Sequence, residues 1–343
     1  MQQPQIGSLL QQMKIMRQNI SSHQRRISEL ESFLSYETLQ HDKKLFKYYT
    51  GYTPEEFQML YEFIVPENAM QTQAAIRYLN NKGHGKIGLK TQLLMTLNKL
   101  RNNFTFLHLA HLHSVTEGFC QNIFKRWLKL LAEKFENVYI WPHRDSVRSQ
   151  IPEAFAIDFP NTVAILKRVQ IKVALNSFES VNSRTSTSTQ DEIMLCNRHA
   201  VLAVDPRGSV IWCSKLSKGN LSDSELFIES GLKDRLKQLV GCHWLQVGDG
   251  ILADETFGIS EELDEIGLVF NHVAFSKQNI EEELKRILRK ERINSHKVLI
   301  DQAYARVKQF RILTQKIPSS LTSSSDIILQ VCSFLTNFQT PLL

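Results

Sequence analysis

Near residue 150 the chain changes period. Before Trp141-Pro142 and Ile151-Pro152 its apolar residues recur at helical spacing; after them, strands alternate with helices. From Val163 to Val173 apolar and other residues alternate with period two. Residues Val201 to Ile211 read as two strands joined by Asp205-Pro206-Arg207-Gly208, a turn sequence. A helix is predicted from Ser222 to Leu239, with Ser222 as its cap and Glu225 three residues on. Further strands are predicted over Leu245–Ala253 and Leu268–Ala274, and helices over Asn279–Arg292 and Ser295–Leu313. Antiparallel strands followed by βα units predict an α/β class, a mixed sheet with helices packed on its faces. The Ser/Thr-rich stretch Ser177 to Gln190 reads as an inserted loop.

Ahead of the sheet the pattern is all-helical. Thr53-Pro54-Glu55-Glu56 is a helix start, with a hydroxyl cap, proline at the first helical position and acids in the first turn. Gly83, Gly85 and Gly88 interrupt the chain before an apolar helix, Thr91 to Asn103. Then Phe106-Leu-His-Leu-Ala-His-Leu and the short link His113-Ser114-Val115 lead into a helix from about Thr116 to Phe135. Two helices joined by so short a turn read as a helix-turn-helix whose second helix enters a groove. Its polar positions Thr116, Gln121, Asn122, Lys125 and Arg126 suit phosphates and base edges, and Phe119, Ile123, Trp127 and Leu130 form the expected core stripe. Any three-helix bundle has such turns, so the pattern alone also fits a plain helical bundle. In the first forty residues Ile6, Leu9, Met13, Met16, Ile20, His23, Ile27, Leu30 and Leu34 follow the three–four spacing of a coiled-coil seam. The domains expected are therefore 1–41, a coiled-coil helix; 42–150, a helix-turn-helix unit; and 151–343, the sheet domain.

Charge separates the same halves. Residues 1–150 carry 19 Lys and Arg against 12 Asp and Glu, a balance of +7, whereas residues 151–343 balance at −1. A basic half beside a neutral half points to a polyanionic partner, most simply double-stranded DNA. No apolar run approaches the ~20 residues needed to span a bilayer, and Met1 to Leu10 lack the layout of a secretory leader. Five scattered cysteines, Cys120, Cys196, Cys213, Cys242 and Cys332, form no CxxC; they suit a reducing compartment and offer no zinc site.

The chain holds no GxxxxGK[ST], HExxH or GxSxG. The remaining chemistry is a set of acids at strand ends and on a late helix: Asp249, Asp254, Glu255 and Asp301. Carboxylates gathered from distant segments can hold two divalent ions for phosphodiester cleavage, although such acids are commonly surface groups.

From Tyr48 onward the sequence resembles the DDE superfamily endonucleases of Harbinger-like cut-and-paste transposases, preceded by their helix-turn-helix. The carriers are Tyr49-Thr-Gly-Tyr-Thr-Pro-Glu-Glu-Phe57, Leu93-Leu-Met-Thr-Leu-Asn-Lys-Leu-Arg101, Trp141-Pro142 and Phe159-Pro-Asn-Thr162. They continue through Gly208-Ser-Val-Ile-Trp-Cys-Ser-Lys-Leu216, Gly219-Asn-Leu-Ser-Asp-Ser224, Ser230-Gly-Leu232, Ala305-Arg-Val-Lys-Gln-Phe-Arg-Ile-Leu313 and Leu335-Thr-Asn-Phe-Gln-Thr-Pro341. The resemblance implies an RNase H-like fold for residues 151–343. It also implies where three acids should stand, and the first does not carry over. The family's first aspartate position is Lys167, within Ile165-Leu166-Lys167-Arg168-Val169-Gln170. The second corresponds to Asp254 and is kept; the third, a glutamate in the family, corresponds to Asp301. No carboxylate lies between Asp158 and Glu179, so a shift of alignment cannot restore the first. A charge pair ~4 Å apart interacts by ~4 kcal/mol at an effective dielectric of ~20, and a dication beside Lys167 meets about twice that as repulsion.

The resulting expectation is a transposase-derived nuclear DNA-binding or assembly factor with a catalytically inactive nuclease domain. It would hold no Mg²⁺ or Mn²⁺, lie outside membranes, and self-associate through residues 6–34. The alternatives are a metal-dependent endonuclease with residual activity, using acids such as Asp205 or Asp223, and an interaction scaffold that binds no DNA. No zinc-finger DNA reader is present in the sequence. Lys167 shares its side of the strand with Val163, Ile165, Val169, Ile171 and Val173. Its ammonium is thus expected to pair with Asp254, Asp301 or both, the alternative being a lysine that reaches to solvent.

Overall fold

The structure, a computed structural model, describes residues 11, 13–21, 34–65, 87–138, 140–174, 195–254, 257–272 and 301–342. Its centre is a mixed sheet of β1 (Thr162–Ala174), β2 (Leu195–Val204), β3 (Val210–Cys213), β4 (Ser217–Lys218), β5 (Gly250–Ala253) and β6 (Val269–His272). The order is β3-β2-β1-β5-β6, with β4 paired to β2. The β1–β2 and β2–β3 pairs are antiparallel; β1–β5 and β5–β6 are parallel. This is the RNase H-like arrangement, in which a long first strand carries an antiparallel half on one side and a parallel half on the other.

The period-two pattern of β1 sorts two cores. Ile165, Val169, Ile171 and Val173 face one side, whereas Ala164 and Leu166 face the other; Val163, expected with the first set, joins the second core, where the pairing with β5 is irregular between Thr162 and Ala164. The first side is covered by the helices that precede the sheet. These are α1 (Tyr36–Leu39), α2 (Lys43–Thr50), α3 (Pro54–Ile64), α4 (Leu89–Asn102), α5 (Phe106–Leu112) and α6 (Glu117–Glu136). Two short helices, α7 (Arg144–Ser149) and α8 (Glu153–Asp158), lead into β1. The opposite side is covered by α9 (Asp223–Glu229), α10 (Leu232–Gly241) and α11 (Ser260–Asp264) through Phe227, Leu236 and Leu263. Helix α12 (301–308), the turn α13 (Arg311–Thr314) and α14 (Ser325–Leu335) return to the first side. Each large aliphatic side chain withdrawn from water in these layers contributes about 1.5–3 kcal/mol. No helix among the described residues is long and apolar enough to cross a membrane.

Several elements differ from the sequence expectation for local reasons. The helix predicted over Ser222–Leu239 is two helices, because Gly231 adopts a left-handed conformation (φ 79°) between α9 and α10. The strand predicted from Leu245 begins only at Gly250, since Gly248 (φ 90°) turns the chain and the Asp249 carboxylate accepts from the Gln246 N–H. The helix predicted to Leu313 leaves helical geometry after residue 308 and resumes as one turn at Arg311. The helix predicted over Asn279–Arg292 and the loop at Ser177–Gln190 lie outside the described residues. In the N-terminal segment residues 13–21 are helical, with Met13, Met16 and Ile20 exposed; Leu34, expected to end the seam, is instead fully buried in the chain's own core, and the remaining seam positions lie outside the described residues.

Candidate functional site

The strand register brings the degenerate positions together. Ile165 of β1 lies opposite Leu252 of β5, so Lys167 and Asp254, each two residues further on, stand at the same level of the sheet. Helix α12 lies over this face, anchored by Ala303 and Val307 in the core, and Asp301 is the first of its described residues. The Lys167 ammonium donates to Asp301 Oδ1 at 2.8 Å. The expected ion pair is therefore present with Asp301. It is less enclosed than the alternation suggested, with 28% of the lysine side chain and 63% of the aspartate side chain exposed. Lys167 Nζ also lies 5.9 Å from the ring centre of Tyr304, over which Lys308 Nζ sits at 4.3 Å. Two cations thus lie near one aromatic ring. Asp254 is exposed just beyond β5, and Glu255 lies outside the described residues.

The other acids are engaged elsewhere. Asp249, fully buried at the opposite end of β5, accepts from Arg144 Nε at 3.0 Å and Arg148 Nη2 at 2.9 Å. Asp205, also fully buried, closes the β2–β3 turn by accepting from the Arg207 and Ser209 N–H groups and from the Arg207 guanidinium. Asp223 accepts from Arg168 Nη1 at 2.7 Å. Arg168 is adjacent to Lys167 and so points to the other face of the sheet. Among the described residues no three His, Cys, Asp or Glu side chains come together to hold a metal.

The helix-turn-helix is built as its sequence suggests at the turn, and differently in its packing. α5 ends at Leu112 with His113 as its cap, Ser114 takes a left-handed conformation (φ 50°), and Thr116 caps α6 by accepting from the Phe119 N–H. His113 is buried, and the Leu34 backbone approaches its ring too loosely to satisfy either nitrogen; burial pushes its pKa down to about 4. Lys99, buried near the end of α4, donates to Asn103 Oδ1 and the Phe104 carbonyl, fixing the step into α5. Burial lowers its pKa to about 8.

α6 is covered on two sides. Ile123, Trp127 and Leu130 are buried as expected, but so are Cys120, Phe124, Leu128, Leu131 and Phe135, while Phe119 is half-buried. The second layer is α14 and the residues after it: Phe135 meets the rings of Phe334 and Phe338 at 5.5 and 6.3 Å. What remains open is a stripe of Gly118, Asn122, Lys125, Lys129 and Glu133.

Two family models match this layout. Residues 85–137 match the helix-turn-helix of DDE superfamily endonuclease, and residues 197–337 match the DDE superfamily endonuclease itself. The chain belongs to the DDE superfamily. No curated protein matches it. One similar solved structure, described as the crystal structure of a pre-cleavage Mos1 transpososome, is 11% identical over 87% of this chain and 94% of that one, with a TM-score of 0.19. A score that low carries no argument, so the fold rests on the strand order and the two family models.

Within the DDE frame, Asp254 and Asp301 fall inside the endonuclease match, and Lys167 falls ahead of it on β1. Of the five polar positions on the second helix of the helix-turn-helix, Asn122 and Lys125 lie on the open stripe. Thr116 is spent on the cap, Gln121 donates to Glu117 at 3.2 Å, and Arg126 is half-buried. Lys129 was missed, although its position four residues after Lys125 places it on the same face. Tyr304 and Lys308 were missed too; their spacing from Asp301 along α12 was the available signal.

Proposed function

We propose that this DDE-superfamily protein binds duplex DNA without cutting it, as a nuclear DNA-binding or assembly factor derived from a transposase. The observation that carries the reading is the Lys167–Asp301 ion pair at 2.8 Å. A DDE nuclease needs its carboxylates free to hold divalent ions, which activate a water and stabilise the leaving oxygen. Here the first position supplies an ammonium, and the third carboxylate is already neutralised by it. The residues present do not fit a two-metal site, because Lys167 would repel each ion and offers no anionic ligand. Asp205 and Asp223, the nearest replacements, are committed to Arg207 and Arg168.

DNA binding rests on the helix-turn-helix match and on the +7 balance of residues 1–150. Asn122, Lys125 and Lys129 would meet the duplex along the open stripe of α6, with Lys125 and Lys129 neutralising phosphates. Self-association through the 6–34 seam would place two such helices on one DNA. The exposure of Met13, Met16 and Ile20 supports that part of the reading. The test combines duplex binding at several salt concentrations with incubation in Mg²⁺ or Mn²⁺. Salt-sensitive binding without nicking is expected; divalent-dependent cleavage lost in Asp254→Asn would overturn the reading.

A further inference from the structure

Where the segment entering the sheet, the β2–β3 turn and the C-terminal stretch meet, they line a cleft of about 600 Å³, open to solvent on one side. Its walls include Gln150, Arg207, Ser209, Arg306 and Asn337. The two arginines come from unrelated elements and have very different partners. Arg207 is held in place: its Nε and Nη2 donate to Asp205 Oδ2 at 3.0 and 2.9 Å, and its Nη1 donates to Gln150 Oε1. Asp205 is fully buried, so this guanidinium is fixed from behind. It retains two unspent N–H donors of the five a guanidinium carries.

Arg306 is half-buried on α12, and its guanidinium makes no hydrogen bond or ion pair among the described residues. Glu56 is the nearby acid, but its oxygens already accept from the Thr53 N–H, the Thr340 N–H and the Thr340 hydroxyl, at 2.7–2.8 Å. Burial lowers the Arg306 pKa, and the charge of Glu56 offsets this only in part. The Ser209 hydroxyl, on the same wall, is also without a partner among the described residues.

We propose that this cavity binds a phosphoryl group. The cavity is lined by the Arg306 guanidinium, by Arg207 with two donors left over, and by Ser209, and no carboxylate is among its lining residues. A tetrahedral oxyanion, with several acceptor oxygens and up to two charges, satisfies such a set better than one carboxylate does. The group is either that of a small phosphate ester, which the concave space accommodates, or a phosphodiester of bound DNA. The inference does not depend on DNA recognition by α6, since none of its residues lies on that helix.

The test is calorimetric titration of the intact chain with inorganic pyrophosphate. Saturable binding is expected, weakened about tenfold or more in Arg306→Gln and partly kept in Arg306→Lys. The Arg306 guanidinium makes no hydrogen bond to lose among the described residues, so the melting temperature of Arg306→Gln without ligand should stay close to that of the wild type. Lys125→Glu with Lys129→Glu should bind pyrophosphate unchanged, which separates this site from the helix-turn-helix. Displacement of pyrophosphate by a short duplex assigns the phosphoryl group to the DNA backbone; simultaneous binding assigns it to a small ester. Absence of saturable binding up to about 10 mM, or equal binding by wild type and Arg306→Gln, would overturn the proposal.

Discussion

Lys167 and His113 are the two residues whose chemistry can be tested singly. The Lys167–Asp301 pair is partly open to water, so its contribution to stability is at most about 1 kcal/mol, and Lys167→Ala should cost no more than that in denaturant unfolding. Lys167→Asp is the sharper probe. It places a third carboxylate beside Asp254 and Asp301, and the mutual repulsion should lower the melting temperature until a divalent ion is supplied. Millimolar Mg²⁺ or Mn²⁺ should then raise that temperature by a few degrees in Lys167→Asp and leave the wild type unmoved. A metal-independent melting curve in Lys167→Asp would mean that the acids have lost the geometry to share an ion. His113 predicts a different curve. Its folded pKa of about 4 lies below the unfolded value near 6.5, so the unfolded chain binds more protons between those limits. Stability should therefore be full above pH 6.5 and fall by roughly 3 kcal/mol as the pH drops through 4. His113→Leu should flatten that slope in pH-dependent unfolding; an unchanged slope would place the acid sensitivity on carboxylates instead. Lys167 was legible because every other residue on its side of β1 is apolar. His113 was read only as part of a link, since nothing local reveals that a turn residue is buried under Leu34.

Among the elements, β1 was legible except at Val163, and α6 only half. A regular alternation fixes the direction of side chains on a strand, which is why β1 sorts into two cores as expected from Ala164 onward; Val163 departs from it where the register with β5 is irregular. On α6 the helical period identifies one apolar stripe, but the second stripe answers to α14, nearly two hundred residues later, and no local pattern announces that partner. The break at Gly231 escaped for a similar reason: glycine within a helical period is tolerated, and only its left-handed φ shows that the chain turns. The open stripe that remains on α6 makes a specific claim about the DNA interface. Lys125→Glu with Lys129→Glu should weaken binding to all duplex sequences and reduce the slope of log affinity against log salt by about one for each phosphate no longer neutralised. A slope equal to the wild type would remove α6 from the interface. For the helix at residues 13–21, Met16→Asp and Ile20→Asp alter exposed side chains, so folding should be untouched while sedimentation shifts toward monomer. An unaltered sedimentation profile would mean that the seam serves another purpose.

In the whole molecule, the helical part and the sheet share one continuous core. Phe135 of α6 and Phe63 beside it pack on Phe338, and Tyr52 donates from its buried hydroxyl to the Leu335 carbonyl at 2.8 Å. A fragment ending near residue 150 would expose those aromatic faces, so DNA binding belongs to the intact chain and should be measured on it. This joining of the two halves was invisible to the change of period at residue 150, which marks where strands begin and not where packing stops. The charge asymmetry was legible, by contrast, because it needs only counting, and it agrees with the helix-turn-helix match in pointing the basic half at DNA. The central claim is that binding has outlived cutting. It is tested most directly by incubating the intact protein with a labelled duplex in Mn²⁺ and resolving bound, free and nicked DNA from the same samples. The account predicts a shifted duplex that releases between ~50 and ~200 mM salt and strands that stay full length. Shortened strands that vanish in Asp254→Asn, or a duplex that never shifts, would contradict it.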